Sequence, residues 1–326
     1  MRPDSIFEET AIDKTNYKRL TSKKLQLVLH SGHWKHIDCK RWGMRVARLP
    51  LPLKHPPWLR SKNSKPSPTS STASRKSNEW TGKNIYNNQN LHTVGGPLPN
   101  PYVQAITIIG RTLEAFDADQ LIPVYGFGDA TTFDSRVFSF LSGDQSLHRM
   151  GAVLARYNQL TPNVILAGPT SFAPAIYQAM RVVAERGYQF HILLIVADGQ
   201  VTRPTDMRKG QLSNQEKATI DAIEAASHLP LSIIMVGVGD GPWEVMKDFD
   251  DALPARRFDN FQFVNFTELL QQNYTDYAHM EARFALRALM EVPEQYKKLS
   301  SMGSPISDDL KNTISKIPPP LDPPAP

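Results

Sequence analysis

Apolar residues along this chain fall into short continuous runs separated by helical patterns, and that alternation predicts a parallel sheet flanked by helices. His191-Ile192-Leu193-Leu194-Ile195-Val196 and Leu231-Ser232-Ile233-Ile234-Met235-Val236-Gly237-Val238 read as strands buried on both faces. Leu121 to Asp129 reads as a strand running into a glycine-rich turn, Val137 to Phe140 as a short strand, and Phe261 to Phe266 as an alternating one. Asn100-Pro101 reads as an N-cap with proline at the first helical position, followed at helical spacing by Ala105, Ile109, Thr112, Leu113 and Phe116. Further helices are expected from Leu147 to Tyr157, through Ala175, Ala179, Val182 and Val183, from Trp243 to Phe249, and from Thr267 to Met290. Ser213-Asn214-Gln215-Glu216 forms a capping box that opens another, ending near Ser227.

Strands and helices in this order describe an α/β fold, a doubly wound and mainly parallel sheet with helices on both faces. Such sheets bind ligands beyond the carboxyl ends of their strands. Two loops reach that edge. Gly168-Pro169-Thr170-Ser171-Phe172-Ala173-Pro174 opens a helix, and Ala197-Asp198-Gly199-Gln200-Val201-Thr202 follows a strand. Thr170 thus supplies a hydroxyl and Asp198 a carboxylate, oxygen donors of the kind a hard cation such as Mg²⁺ prefers. Taken alone, both residues are more simply read as a helix cap and a turn residue satisfying their own backbone. Asp129 and Asp240 also end strands, as auxiliary carboxylates or, more simply, as turn caps. His148, His191 and His228 lack metal-ligand spacing, and no Ser/His/Asp grouping marks a catalytic centre.

Charge divides the 326 residues into unlike parts. Residues 1–76 carry 17 Lys/Arg against 5 Asp/Glu, a balance of +12, whereas the other 250 residues carry 20 and 27, a balance of −7. The basic arm has one short apolar run, Leu25-Gln26-Leu27-Val28-Leu29, and a Pro-, Ser- and Lys-rich stretch from Pro50 to Lys76 that reads as disordered linker. Its charge would suit nucleic acid or anionic lipid, although a solvated tail needs no partner. The last residues, 299–326, contain Pro318-Pro319-Pro320-Leu321-Asp322-Pro323-Pro324 and read as an extended, disordered tail. No run of 18 apolar residues suggests a membrane span, and neither a signal peptide nor a myristoylation glycine opens the sequence, so a cytoplasmic or nuclear location is expected. The single Cys39 excludes an intrachain disulfide and any multi-cysteine zinc module.

Residues from about Ser77 to Tyr296 resemble the von Willebrand A-type domain of copines, and in particular the plant RING-type ubiquitin ligases of the RGLG group. The resemblance rests on Ser77-Asn78-Glu79-Trp80-Thr81-Gly82, Asn100-Pro101-Tyr102, Tyr125-Gly126-Phe127-Gly128-Asp129-Ala130, Leu166 through Pro174, Ala197 through Thr202, Gly237-Val238-Gly239-Asp240-Gly241-Pro242-Trp243, and Phe258 through Phe266. It implies a domain spanning 77–298 with a metal-ion-dependent adhesion site, built from Asp-x-Thr-x-Ser on a first loop, Thr on a second and Asp on a third. Ser77, Thr170 and Asp198 match that pattern, but Arg75 and Ala73 stand where the threonine and aspartate belong. The upstream apolar strand is replaced by Lys65 to Ser74, so the first, central strand is expected to be missing. Leu25–Leu29, which could form a strand, is a replacement only across a linker of about 40 residues, and a compromised domain is the expectation.

One anionic ligand in place of two, with Arg75 nearby, implies weak binding of Mg²⁺, Mn²⁺ or Ca²⁺ at most. The sequence has one cysteine, too few for a RING, so the resemblance brings no ligase activity of its own. The function expected is a non-catalytic protein-interaction module with a degraded metal site. Its expected partners are proteins, among them ubiquitination substrates or a RING-bearing homologue through which the chain takes part in ubiquitination.

Overall fold

The computed structural model describes Lys24–Leu29, Thr81–Gly82, Tyr86 and residues 89–325, apart from 97–98, 114–116, 118, 205–206, 209–210, 252, 254, 273–275 and 303–305. Its strands are β1 (Lys24–Leu29), β2 (Thr81–Gly82), β3 (Gln89–Asn90), β4 (Leu121–Ile122), β5 (Val124–Gly126), β6 (Phe138–Ser139), β7 (Leu147–His148), β8 (His191–Ala197), β9 (Leu231–Gly237) and β10 (Phe261–Asn265). Six of them make one sheet in the order β10-β9-β8-β1-β5-β6. Its pairings are parallel except between β5 and the edge strand β6. Two small antiparallel pairs, β2 with β3 and β4 with β7, lie apart from it.

The expected doubly wound architecture is present, with one correction at its centre. The sequence leaves the middle position of the sheet empty, and Lys24–Leu29 fills it, paired along its length with His191–Val196 and, from Leu27 to Leu29, with Val124–Gly126. An empty position would leave backbone donors and acceptors of both β5 and β8 without ladder partners inside the protein, a cost that strongly favours recruiting any compatible apolar segment.

The helices are α1 (Pro101–Leu113), α2 (Arg149–Leu160), α3 (Ala173–Glu185), α4 (Asn214–Ala226), α5 (Glu244–Asp251), α6 (Phe266–Leu270), α7 (Tyr277–Leu289), α8 (Val292–Met302) and α9 (Asp308–Ser315). Strand β8 shows how they divide. Its Ile192, Leu194 and Val196 join one buried cluster with α1, α2 and α7, while Leu193, Ile195 and Ala197 join the other with α3, α4 and α5. A period of two thus sends successive side chains into separate cores on opposite faces. The single helix expected from Thr267 to Met290 is two, because Asp276 starts afresh by accepting a hydrogen bond from the His279 N–H. The capping box of α4 is made as expected: Ser213 Oγ accepts from Glu216 N (3.0 Å) and Glu216 Oε2 from Ser213 N (2.6 Å).

A second correction concerns the C-terminal tail, expected to be disordered. Helix α9 packs on α3, with Ile314 only 5% exposed, and Ile306, Leu310 and Ile317 cover the same core cluster. Leu321 then pairs with Phe138 of the edge strand as a parallel bridge and packs on the core of the opposite face. Ile306, Leu310, Ile314 and Ile317 supply the buried apolar area that holds α9 against α3. A sheet strand and a core helix therefore both come from outside residues 77–298.

Candidate functional site

The carboxyl edge of the sheet brings four loops together. Gly128 and Asp129 follow β5, residues 164–172 precede α3, Asp198 follows β8 directly, and Asp240 lies just beyond β9. Backbone bonds tie them in sequence. Ala130 N donates to Ile165 O (2.8 Å) and Ala167 N to Gly128 O (2.9 Å), while Val238 N donates to Ala197 O (2.9 Å). Thr170 and Asp198 lie in loops stitched by two bonds: Thr170 N donates to Thr202 Oγ1 (2.7 Å), and Thr202 N donates to Thr170 O (3.0 Å). Ser213, the α4 cap, donates its hydroxyl to Thr202 O (2.9 Å), so a helix start braces the stitch.

Asp198 is 8% exposed, and its backbone packs directly against the turn that follows the adjacent strand β9. A Cβ on Gly239 in that turn would run into the Asp198 carbonyl oxygen, so only glycine fits there. Gln200 accepts from Val245 N (3.1 Å) and fastens the same loop to α5.

A polar wall faces Asp198 from α1, α2 and the turn after β3, and the sequence alone gives no sign of it. The His92 Nε2 lies 3.9 Å from Asp198 Oδ2, and its ring stacks on Tyr102 with centroids 4.2 Å apart. His92 Nδ1 is 3.4 Å from the Tyr157 hydroxyl, to which Asn100 Nδ2 donates (3.2 Å). Asn100 is also the expected cap of α1, accepting from Val103 N (2.9 Å). Burial, then the Asp198 charge, pushes the ionisation of Tyr102 well above the ordinary phenol range, so the ring keeps its proton. Asn100-Pro101-Tyr102 is readable as a helix start. Its convergence with His92 and Tyr157 depends on pairings distant in sequence.

The auxiliary carboxylates separate. Asp129 is 2% exposed and bound locally: it accepts from the N–H and hydroxyl of both Thr131 and Thr132, which makes it a turn cap. Asp240 is half-buried near Tyr86, whose phenol is pushed up by burial and, secondarily, by the Asp240 charge. Ser77, Arg75 and Ala73 lie outside the described residues. Among the described residues no three or more His, Cys, Asp or Glu side chains gather to hold a metal ion. Any cation at Asp198 would share its carboxylate with the His92 ring. No helix among the described residues is long and apolar enough to cross a membrane.

The copine family model matches residues 90–305. The E3 ubiquitin-protein ligase RGLG2 of Arabidopsis thaliana is 60% identical over 222 residues, covering 68% of this chain and 47% of that protein. RGLG3 of the same plant is 52% identical over 246 residues, covering 75% of this chain and 66% of that protein. Copine family protein 2 of Caenorhabditis elegans is 44% identical over 231 residues, 70% of this chain and 3% of that protein. The chain spans about half the length of RGLG2 and RGLG1, whose coverage is 47% and 45%.

Proposed function

The chain belongs to the copine family, and from that premise we propose that it is a non-catalytic interaction module that docks protein partners over the carboxyl edge of its sheet. The observation that carries this reading is the two-bond stitch between Thr170 and Thr202, which holds one hydroxyl loop and one carboxylate loop together at that edge. Mg²⁺, Mn²⁺ or Ca²⁺ binds there weakly, through Thr170 and Asp198 with Ser77 as a third donor. Two features support weak binding. Arg75 and Ala73 stand where the family pattern has threonine and aspartate, and His92 already lies against Asp198. Isothermal titration with Mn²⁺ and Mg²⁺ tests the assignment: heat that survives Asp198→Ala unchanged would refute it.

A second reading is favoured by relatives that carry the name ubiquitin ligase at 60% identity. In it the module serves ubiquitination by pairing with a RING-bearing homologue or by holding its substrates. In an in vitro assay the purified chain should transfer no ubiquitin alone and should change the rate or substrate range of such a homologue. Transfer by the chain alone would overturn the non-catalytic reading.

A further inference from the structure

The C-terminal segment does more than cover an edge. Leu321 N donates to Val137 O (2.9 Å) and Ser139 N donates to Leu321 O (2.8 Å), so one residue is added to the sheet beside β6. Arg136 reaches the Pro319 carbonyl through a guanidinium nitrogen (2.6 Å), and Asp322 Oδ1 accepts from Gly143 N (3.2 Å). Backbone pairing, a guanidinium on a prolyl carbonyl, an aliphatic anchor and a carboxylate on a loop N–H are the elements by which domains read extended peptides. Prolines suit the seat because they hold the extended conformation with little entropy left to lose.

The chain's own segment fills this seat only in part. A cavity of about 370 Å³ remains between the segment and α3, lined by Val137, Pro174, Tyr177, Gln178, Ile317 and Pro319 among others. Gln178 is 1% exposed, yet neither its amide nitrogen nor its amide oxygen has a hydrogen-bond partner of good geometry. The nearby Tyr125 hydroxyl feels that amide but donates to Asp144 (2.8 Å). Pro318, Pro319 and Asp322 are exposed, and the pairing consists of one bridge. Such an edge opens at low cost.

We propose that the edge of the sheet along β6, together with the groove between it and α3, is a binding site for extended proline-rich segments carrying an aliphatic–acidic pair, whose aliphatic side chain sits on the opposite face of the sheet as Leu321 does, and that Ile317–Asp322 occupies it as an internal competitor. Neither Thr170 nor Asp198 lines the groove, and binding there needs no metal ion. A tethered occupant behaves like a ligand at millimolar concentration, so a partner's peptide gains access when the chain's own segment is weakened.

The test uses the full chain and a fluorescein-labelled peptide of residues 316–325. Leu321→Asp, which puts a charge at the anchoring position, should bind the peptide at least about tenfold more tightly than the unaltered chain, and adding Arg136→Ala should remove that binding. Absence of binding by a Leu321→Asp chain with native circular dichroism overturns the proposal, as does binding indifferent to Arg136→Ala. If Leu321→Asp does not fold, unlabelled peptide at millimolar concentration is titrated into the unaltered chain. The amide resonance of the chain's own Leu321, displaced from Val137 O, should then shift, and its constancy is equally fatal. A concentration-dependent dimer abolished by Leu321→Asp would assign the groove to a second copy's tail, against a separate partner.

Discussion

Replacing Asp250 with asparagine should stabilise the protein, and only above mildly acidic pH. Asp250 sits in α5, and its carboxyl is pushed up to about 7, first by burial, then by the charge of Glu291, with Asp259 and Asp251 adding to it. A Phe263 backbone N–H pulls the other way without prevailing. An acid whose folded value lies above its unfolded value of 3.8 binds its proton more tightly in the folded state. Folded stability is therefore fully retained below about pH 4, declines between there and pH 7, and stays reduced above. A rise of that size, at 1.36 kcal/mol for each tenfold change in proton affinity, corresponds to roughly 4 kcal/mol. The side chain is only half-buried, and solvent screening reduces this to about 1–2 kcal/mol. Urea midpoints of the two proteins, measured at pH 4.5 and pH 8, isolate the effect as a change in their difference. Asp250→Asn should gain about 1–2 kcal/mol at pH 8 relative to its standing at pH 4.5. A difference that does not vary with pH, or one favouring the aspartate at pH 8, would refute the reasoning.

Three further substitutions probe the architecture. Gly239→Ala should cost roughly 1–3 kcal/mol by denaturant titration, since its Cβ meets the fixed Asp198 carbonyl, and it should disturb any cation binding at Asp198 as well. Ile314→Ala should cost about 2–4 kcal/mol, whereas a loose tail would show no change in midpoint. Asn100→Ala removes the α1 cap and the contact to Tyr157, and a loss of about 1 kcal/mol in thermal or urea denaturation is expected.

Most of the sheet is legible because its strands are continuous apolar runs and its helices carry local signals, such as the Ser213 capping box and the Asn100-Pro101 start. The central strand is visible as an apolar run, but the long stretch between it and the loop that should follow argues against placing it in the sheet. Loop closure is the weaker consideration: doubling such a link costs only about 0.6 kcal/mol, far less than stranding two ladders. The tail misleads because its prolines dominate the reading, while the burial of Ile314, Ile317 and Leu321 depends on surfaces far away in sequence. At the candidate site, Thr170 and Asp198 are identifiable from their loops, and those two loops are bonded to each other through Thr170 and Thr202. His92, Tyr102 and Tyr157 are unreadable there because nothing local says which distant surfaces a histidine or tyrosine will meet. Asp129 shows the reverse, since the threonines two and three residues on are enough to favour a turn cap.

The placement of Lys24–Leu29 between two strands made much later has a consequence for biogenesis. When this segment leaves the ribosome, its partner at Val124 and then its longer one at His191 are still to be translated. Its ladder closes only once Val196 has emerged, so the nascent chain must carry an apolar edge without its mates throughout the intervening synthesis. Slow translation or a shortage of holding chaperones should lower the yield of this protein more than that of a fold whose neighbouring strands are consecutive.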